Sequence, residues 1–209
     1  MTKVYKLTLK NMSHIHTPRD MHYRAESGAS LIMVMLILVI VSLLGVGGAQ
    51  IALMSERGAR NDRDQQIAWQ AAEAALNDAE FDMIDPVSTR QALFNGKPSS
   101  SFLPGCSTSG LCDVTITGKP AWLTVDFTST SNSARTTQYG TSSVSTTNVR
   151  TFAAGGVGIQ PAQAPRYIIE LVPDTIGDKS EPTFLYRVTA MGFGPRTDIQ
   201  AMVQMLYRK

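Results

Sequence analysis

Between Glu26 and Glu56 the sequence has no aspartate, glutamate, lysine, arginine or histidine. That gap argues against a core helix of a soluble domain, which would show a polar stripe every three to four residues; from Leu31 to Leu44 only Ser42 is polar. Histidine is missing after His22, the other two being His14 and His16. No Ser-His-Asp or Cys-His nucleophile and no histidine-ligated zinc centre is therefore available to the remainder of the chain. Cysteine is scarce: Cys106 and Cys112 stand alone, without C-x-x-C spacing or companion ligands for a redox or metal centre. Gly155, Gly156 and Gly158 have neither a preceding strand nor a following lysine, which excludes a phosphate-binding loop. A large charge imbalance is also lacking: the residues after Gly28 hold 14 of the 19 basic and 15 of the 17 acidic side chains. Nucleic-acid binding, which needs a basic patch, is not expected.

What is present is a single uncharged run from Ser27 to Ser55. At about 1.5 Å per residue, Ala29 to Ala49 alone covers the ~30 Å hydrocarbon layer of a bilayer, so the run predicts a membrane helix. Ahead of it lie Lys3, Lys6, Lys10, Arg19 and Arg24 against Asp20 and Glu26, whereas Glu56, Arg57, Arg60, Asp62, Arg63 and Asp64 behind it cancel. The basic excess keeps the N-terminus in the cytoplasm and sends the remainder across the membrane. A secretory signal would have a shorter apolar core followed by a small-x-small cleavage site. Here small residues also precede the run, at Ser27-Gly28-Ala29-Ser30.

Gly28-Ala29-Ser30-Leu31-Ile32, between a basic leader and a long apolar helix, resembles the processing site of type IV pilins and type II secretion pseudopilins. The resemblance implies that a membrane prepilin peptidase cuts between Gly28 and Ala29 and that the new N-terminus, Ala29, is methylated. Two positions depart from the pattern: the first mature residue is usually aromatic or methionine, and the fifth is usually a glutamate, where this chain has Met33. An anion in hydrocarbon is costly unless paired, and the family's glutamate pairs with the amine of a neighbouring subunit. Its loss is a habit of minor subunits resembling PilX in pili and the K-type pseudopilin in secretion systems, so Met33 is consistent with a priming subunit that has none ahead of it. Met12 and Met21 are alternative starts that would shorten an otherwise long leader.

From Glu56 to Phe81 there is no proline and much alanine, so the helix is expected to continue from about Ala29 to about Phe81. Ile67, Ala71, Ala74 or Ala75, and Phe81 would form an apolar flank, with Arg60, Asp64, Glu73 and Asp78 in water. The stretch from Arg63 through Ala68, Ala71, Ala72, Glu73, Ala74, Ala75 and Leu76 is similar to the N-terminal region of PilX-like minor pilins. Gly45, Gly47 and Gly48 have two readings: local extension of the helix when subunits pack in a filament, or close helix contact through Gly45/Ala49 and Gly48/Ala52. Asp85-Pro86 ends the helix.

Beyond it, Cys106 and Cys112, on the periplasmic side of the membrane, are expected to form a structural disulfide. Residues 113–117 and 121–127 alternate apolar and polar side chains and predict two strands. Residues 129–150, rich in Ser, Thr and Asn, predict a long surface loop or weakly ordered edge without a core. Three further strands are expected at 166–172, 183–194 and 198–208, forming an antiparallel meander that covers the 56–81 helix. Tyr186-Arg187-Val188-Thr189-Ala190-Met191-Gly192-Phe193-Gly194 and the terminal Tyr207-Arg208-Lys209 again look PilX-like. The likeness covers both ends of the mature chain and fades across roughly 85 to 160. Asp174, Asp178 and Glu181 are oxygen ligands of the kind calcium takes, but their spacing fits no EF-hand, so solvated carboxylates and no cofactor are the expectation.

The expected architecture is α+β and type IV pilin-like: a long N-terminal helix, its first half in the membrane, packed on a C-terminal antiparallel sheet. Residues 1–28 are a cytoplasmic leader, 29–55 the transmembrane and filament-core helix, 56–84 its amphipathic continuation, and 85–209 a periplasmic or extracellular head. The resemblance implies a non-enzymatic minor pilin of the tip or priming complex, supporting surface display, twitching motility and adhesion. The same resemblance implies residence in the inner membrane before assembly and in the pilus, at its tip, afterwards. Its implied partners are other minor pilins and the major pilin, the prepilin peptidase, the inner-membrane assembly machinery and a tip adhesin. A type II secretion minor pseudopilin and an uncut signal-anchored periplasmic binding protein are the alternatives.

Overall fold

The computed structural model describes residues 29–141, 150–156, 158–176 and 183–208. The chain falls into two compact units, Met1–Ala52 and Leu53–Lys209. One helix, α1 (Ala29–Ile84), contributes to both. It is unbroken because no proline and few β-branched residues occur after Val46, and it stops where expected: Asp85 closes the last turn on the Phe81 carbonyl (2.8 Å), and the Asp85 side chain then takes the Val87 amide past Pro86.

In the first unit the helical side chains are exposed, Gly47 alone being half-covered. The one hydroxyl in its apolar core is neutralised locally, since Ser42 Oγ donates to the Leu38 carbonyl at 2.7 Å. This is the arrangement a hydrocarbon surrounding demands, where a free hydroxyl has no water to bond.

In the second unit a mixed five-stranded sheet covers the helix. Its strands are β1 (Leu111–Cys112), β2 (Thr137–Gln138), β3 (Arg166–Pro173), β4 (Phe184–Phe193) and β5 (Gln200–Tyr207). The order is β1-β3-β4-β5, and β2 also pairs with β3. The meander is as expected, with Glu170 opposite Arg187 and Ala190 opposite Val203. The sheet is not wholly antiparallel, however, because Leu111 and Cys112 run parallel to Ile169 and Glu170. A loop that turns through positive φ at Gly105, Cys106 and Gly110 delivers β1 in that direction, and Ile169 N bonds the Gly110 carbonyl at 2.8 Å.

The two early strands predicted at 113–117 and 121–127 do not form. Asp113 turns its carboxylate onto the Val114 amide, and Ile116 lies in solvent. Residues 121–123 make a 3-10 turn after Pro120, held by the Thr124 hydroxyl on the Ala121 carbonyl; Asp126 then captures the Thr128 amide. Short polar side chains that bond neighbouring backbone outcompete a sheet ladder. The 129–150 segment departs from expectation in the other direction. Its described part contributes β2 to the sheet and buries Ala134, Thr136 and Thr137.

The helix faces the sheet through Ala68, Ala71, Ala72, Ala75, Asp78, Ala79, Asp82 and Met83. This stripe is rotated from the predicted flank: Asp78 is fully buried, whereas Phe81 remains 46% exposed. The row Ala71, Ala75, Asp78, Asp82 keeps helical period, so Asp78 belongs on the inner side and Phe81 does not. Alanine lets the backbones approach closely, and glycine on β4 completes the fit. A methyl on Gly192 would overlap the backbone of Ala68 and Ala72, and one on Gly194 would lie 2.9 Å from the Asp64 carbonyl. The main core joins Ala75, Ala79 and Met83 to Phe94, Phe102, Tyr167, Ile169, Leu171, Tyr186 and Val188. On the opposite sheet face, Ile168 packs with Cys106, Cys112, Ala121 and Phe127. Because β3 is covered on both faces it is nearly all buried.

Candidate functional site

Among the described residues no group of three or more His, Cys, Asp or Glu side chains that could hold a metal is found. The features that bear on function are an exposed apolar rod and a head clamped to its continuation.

The rod begins at Ala29; Gly28 lies outside the described residues. Met33 is 69% exposed, as are its apolar neighbours to varying degrees. α1 is long and apolar enough to cross a membrane, and none of its most apolar stretch is buried. Gly45, Gly47 and Gly48 all keep helical geometry, and a Cβ at any of them would touch nothing within 4 Å. Among the described residues, nothing therefore requires glycine there.

The head is fastened by buried charge. Asp78 accepts the Gly140 amide at 2.8 Å on one oxygen and Arg150 Nη1 at 3.2 Å on the other. Arg150 also stacks its guanidinium 3.4 Å from the centre of the Phe81 ring, which explains why that ring stays at the surface. One turn on, buried Asp82 accepts the Ser88 hydroxyl at 2.8 Å and stands 3.1 Å from Arg90 Nε, a charge contact without hydrogen-bond alignment. Two carboxylates at i and i+4 thus anchor both the turn after the helix and the segment near residue 140. Neither was recognised in the sequence as structural. Their signal was phase: each lies seven residues beyond a member of the alanine stripe.

Glu170, in the middle of β3, accepts the Ala121 amide at 2.8 Å and Arg187 Nε at 3.0 Å, tying the disulfide side of the head to the sheet. Cys106 and Cys112 are bonded, as expected, with Cα atoms 4.0 Å apart. Arg166 is almost buried and spends its donors on neutral acceptors, Thr136 Oγ1 at 2.6 Å and Gln138 Oε1 at 3.2 Å; burial lowers its pKa from the usual arginine value. Burial likewise raises the Tyr186 phenol, against a smaller opposing effect from the Gly96 amide that bonds its oxygen. Of the three acids considered for calcium, Asp174 is described and accepts from the Ile176 amide and Arg208; Asp178 and Glu181 lie outside the described residues.

Family comparisons agree with this division. Residues 27–77, holding the boundary glycine, the apolar rod and the alanine stripe, match a family model described as PilX N-terminal. Residues 103–209 match one described as type IV pilus assembly protein PilX C-term. The second match includes the disulfide loop and the hydroxyl-rich segment, where the likeness was expected to fade; the stretch between the two matches is 78–102, containing both buried aspartates and Arg90. No curated protein and no solved structure matches the chain. With more than half of its residues inside the C-terminal match and most of its helix inside the other, the chain belongs to the PilX family of type IV pilus minor pilins, whose members are structural components rather than enzymes.

Proposed function

We propose that this chain is a tip or priming subunit of a type IV pilus: it is cut between Gly28 and Ala29, methylated on Ala29, held in the inner membrane by residues 29–55, and then transferred to the filament. The observation that carries the reading is the exposed, uncharged rod with Met33 at the fifth position after Gly28. A subunit docking beneath another needs an anion there to meet the amine above it. The first subunit has none above it, and a neutral methionine avoids the cost of an unpaired carboxylate in an apolar surrounding.

In mechanism, the rod exchanges lipid for the helices of neighbouring subunits. Both surroundings are apolar, so hydrophobic transfer contributes little; close packing favours the filament and the assembly motor supplies the work. Gly45, Gly47 and Gly48 serve that exchange by permitting either local extension or close helix approach. The head, clamped by Asp78, Asp82 and the Gly192 contact, moves with residues 53–84 as one body and offers its loops to other minor pilins and to a tip adhesin. Deleting the gene is expected to abolish surface filaments and twitching, with both restored by the wild-type chain. Normal filaments in the deletion strain would contradict the priming role.

A further inference from the structure

The two edges of the sheet are treated differently. On one side, β3 is covered by β1 and β2, of two residues each, which blunts that edge. On the other, β5 runs for eight residues, Gln200-Ala201-Met202-Val203-Gln204-Met205-Leu206-Tyr207, without a charge, proline or glycine. Among the described residues, the charges flanking it are paired, Arg196 with Asp198 and Arg208 with Asp174.

Which backbone groups of β5 are free follows from its register. Gly194 N donates to the Ile199 carbonyl at 2.8 Å, so these two form a bonded pair at the turn. Bonded and non-bonded pairs alternate along an antiparallel ladder. Ala201, Val203, Met205 and Tyr207 are therefore bonded to β4, and Gln200, Met202, Gln204 and Leu206 direct their N–H and C=O groups outward. An independent contact agrees: Gln65 Nε2 of α1 reaches the Gln200 carbonyl at 3.3 Å. No strand lies beyond β5 among the described residues, which leaves the outward groups of Met202, Gln204 and Leu206 without a backbone partner there.

The core beneath this edge is also incomplete. Val203, Met205 and Tyr207 pack against the main cluster but are only half-buried, unlike their counterparts on β3. An added strand would satisfy the backbone and cover this row together.

We propose that the outer edge of β5 is a strand-addition site for an extended segment of a different pilus subunit, one whose alternate side chains are apolar and lie over Val203, Met205 and Tyr207. The inference rests on the pilus-subunit reading, because that reading selects the partner. A second copy pairing antiparallel through β5 would be related by a two-fold axis perpendicular to the sheet, which reverses every direction in the sheet plane, including that of the helix packed on it. Subunits of one filament keep their helices in one direction, so antiparallel self-pairing does not fit a filament, and a different chain is the occupant. Main-chain bonds would supply affinity and the apolar row would supply selectivity.

The test uses the full-length chain in piliated cells, with a photoreactive benzophenone amino acid at Leu206 and, as a control, at the fully exposed Ile116. Leu206 is expected to cross-link to one other pilus subunit and Ile116 is not. Met202→Pro removes an outward N–H while leaving the β4 ladder intact, and Met202→Lys places a charge on the edge; each is expected to reduce that cross-link about ten-fold or more at unchanged membrane level. Incorporation into sheared filaments with no cross-link from Leu206, a cross-link to another copy or to another segment of the same chain, or a cross-link indifferent to both substitutions would overturn the strand-addition site alone. Absence of the chain from filaments would overturn the pilus-subunit reading as well.

Discussion

The two halves of α1 are made of the same secondary structure by different rules. Residues 29–52 present large apolar side chains all round and bury none of them, whereas residues 53–84 present small ones, bury an alanine stripe, and carry charge on every other side. Leucine, isoleucine, valine and methionine suit a surrounding that adapts to them, such as lipid or other helices. Alanine suits a rigid sheet that must approach within backbone contact. Glycine also means different things in the two places: at 192 and 194 it is forced by the helix against which it lies, and at 45, 47 and 48 no neighbour among the described residues explains it.

The sharpest way to break that contrast is to add volume where the second half meets the sheet. Gly192→Leu would drive a side chain into the Ala68 and Ala72 backbone, and a loss on the order of 4–5 kcal/mol is expected, seen as a head that no longer melts cooperatively in detergent. Removing charge at the same interface is smaller. Asp78→Ala leaves Arg150 partly buried without its anion and the Gly140 amide without its acceptor, so about 3 kcal/mol should be lost, with protease cutting near residue 140 as the readout. Smallest for the head is Gly45→Ala, Gly47→Ala and Gly48→Ala combined. Head melting should move by no more than about 0.5 kcal/mol, while the number of surface filaments falls because helix extension or close approach is impaired.

The helix and the meander were legible because each repeats its pattern over many residues: an uncharged run, an alanine stripe, three strands of alternating or continuous apolar character. The inward place of Asp78 was not, because its partner Arg150 is 72 positions away and an isolated aspartate reads as solvated. The parallel β1 depended on a loop turned by Gly105, Cys106 and Gly110, and no local signal gives the direction in which such a loop delivers its strand. The predicted strands at 113–117 and 121–127 had the right alternation but lost to side chains that bond their own backbone. The Gly-x-Gly at the end of β4, Gly192 and Gly194, was visible as a family trait, and its physical reason emerged only with the helix lying across it.

Mass spectrometry of the mature N-terminus, on chain recovered from sheared surface filaments, tests most directly whether the rod is first a membrane anchor and then a filament spine. A peptide that begins at Ala29 and carries one methyl group on its α-amine is the expected result. A chain that keeps residues upstream of Ala29, or that stays wholly in the inner-membrane fraction while filaments form, would contradict it.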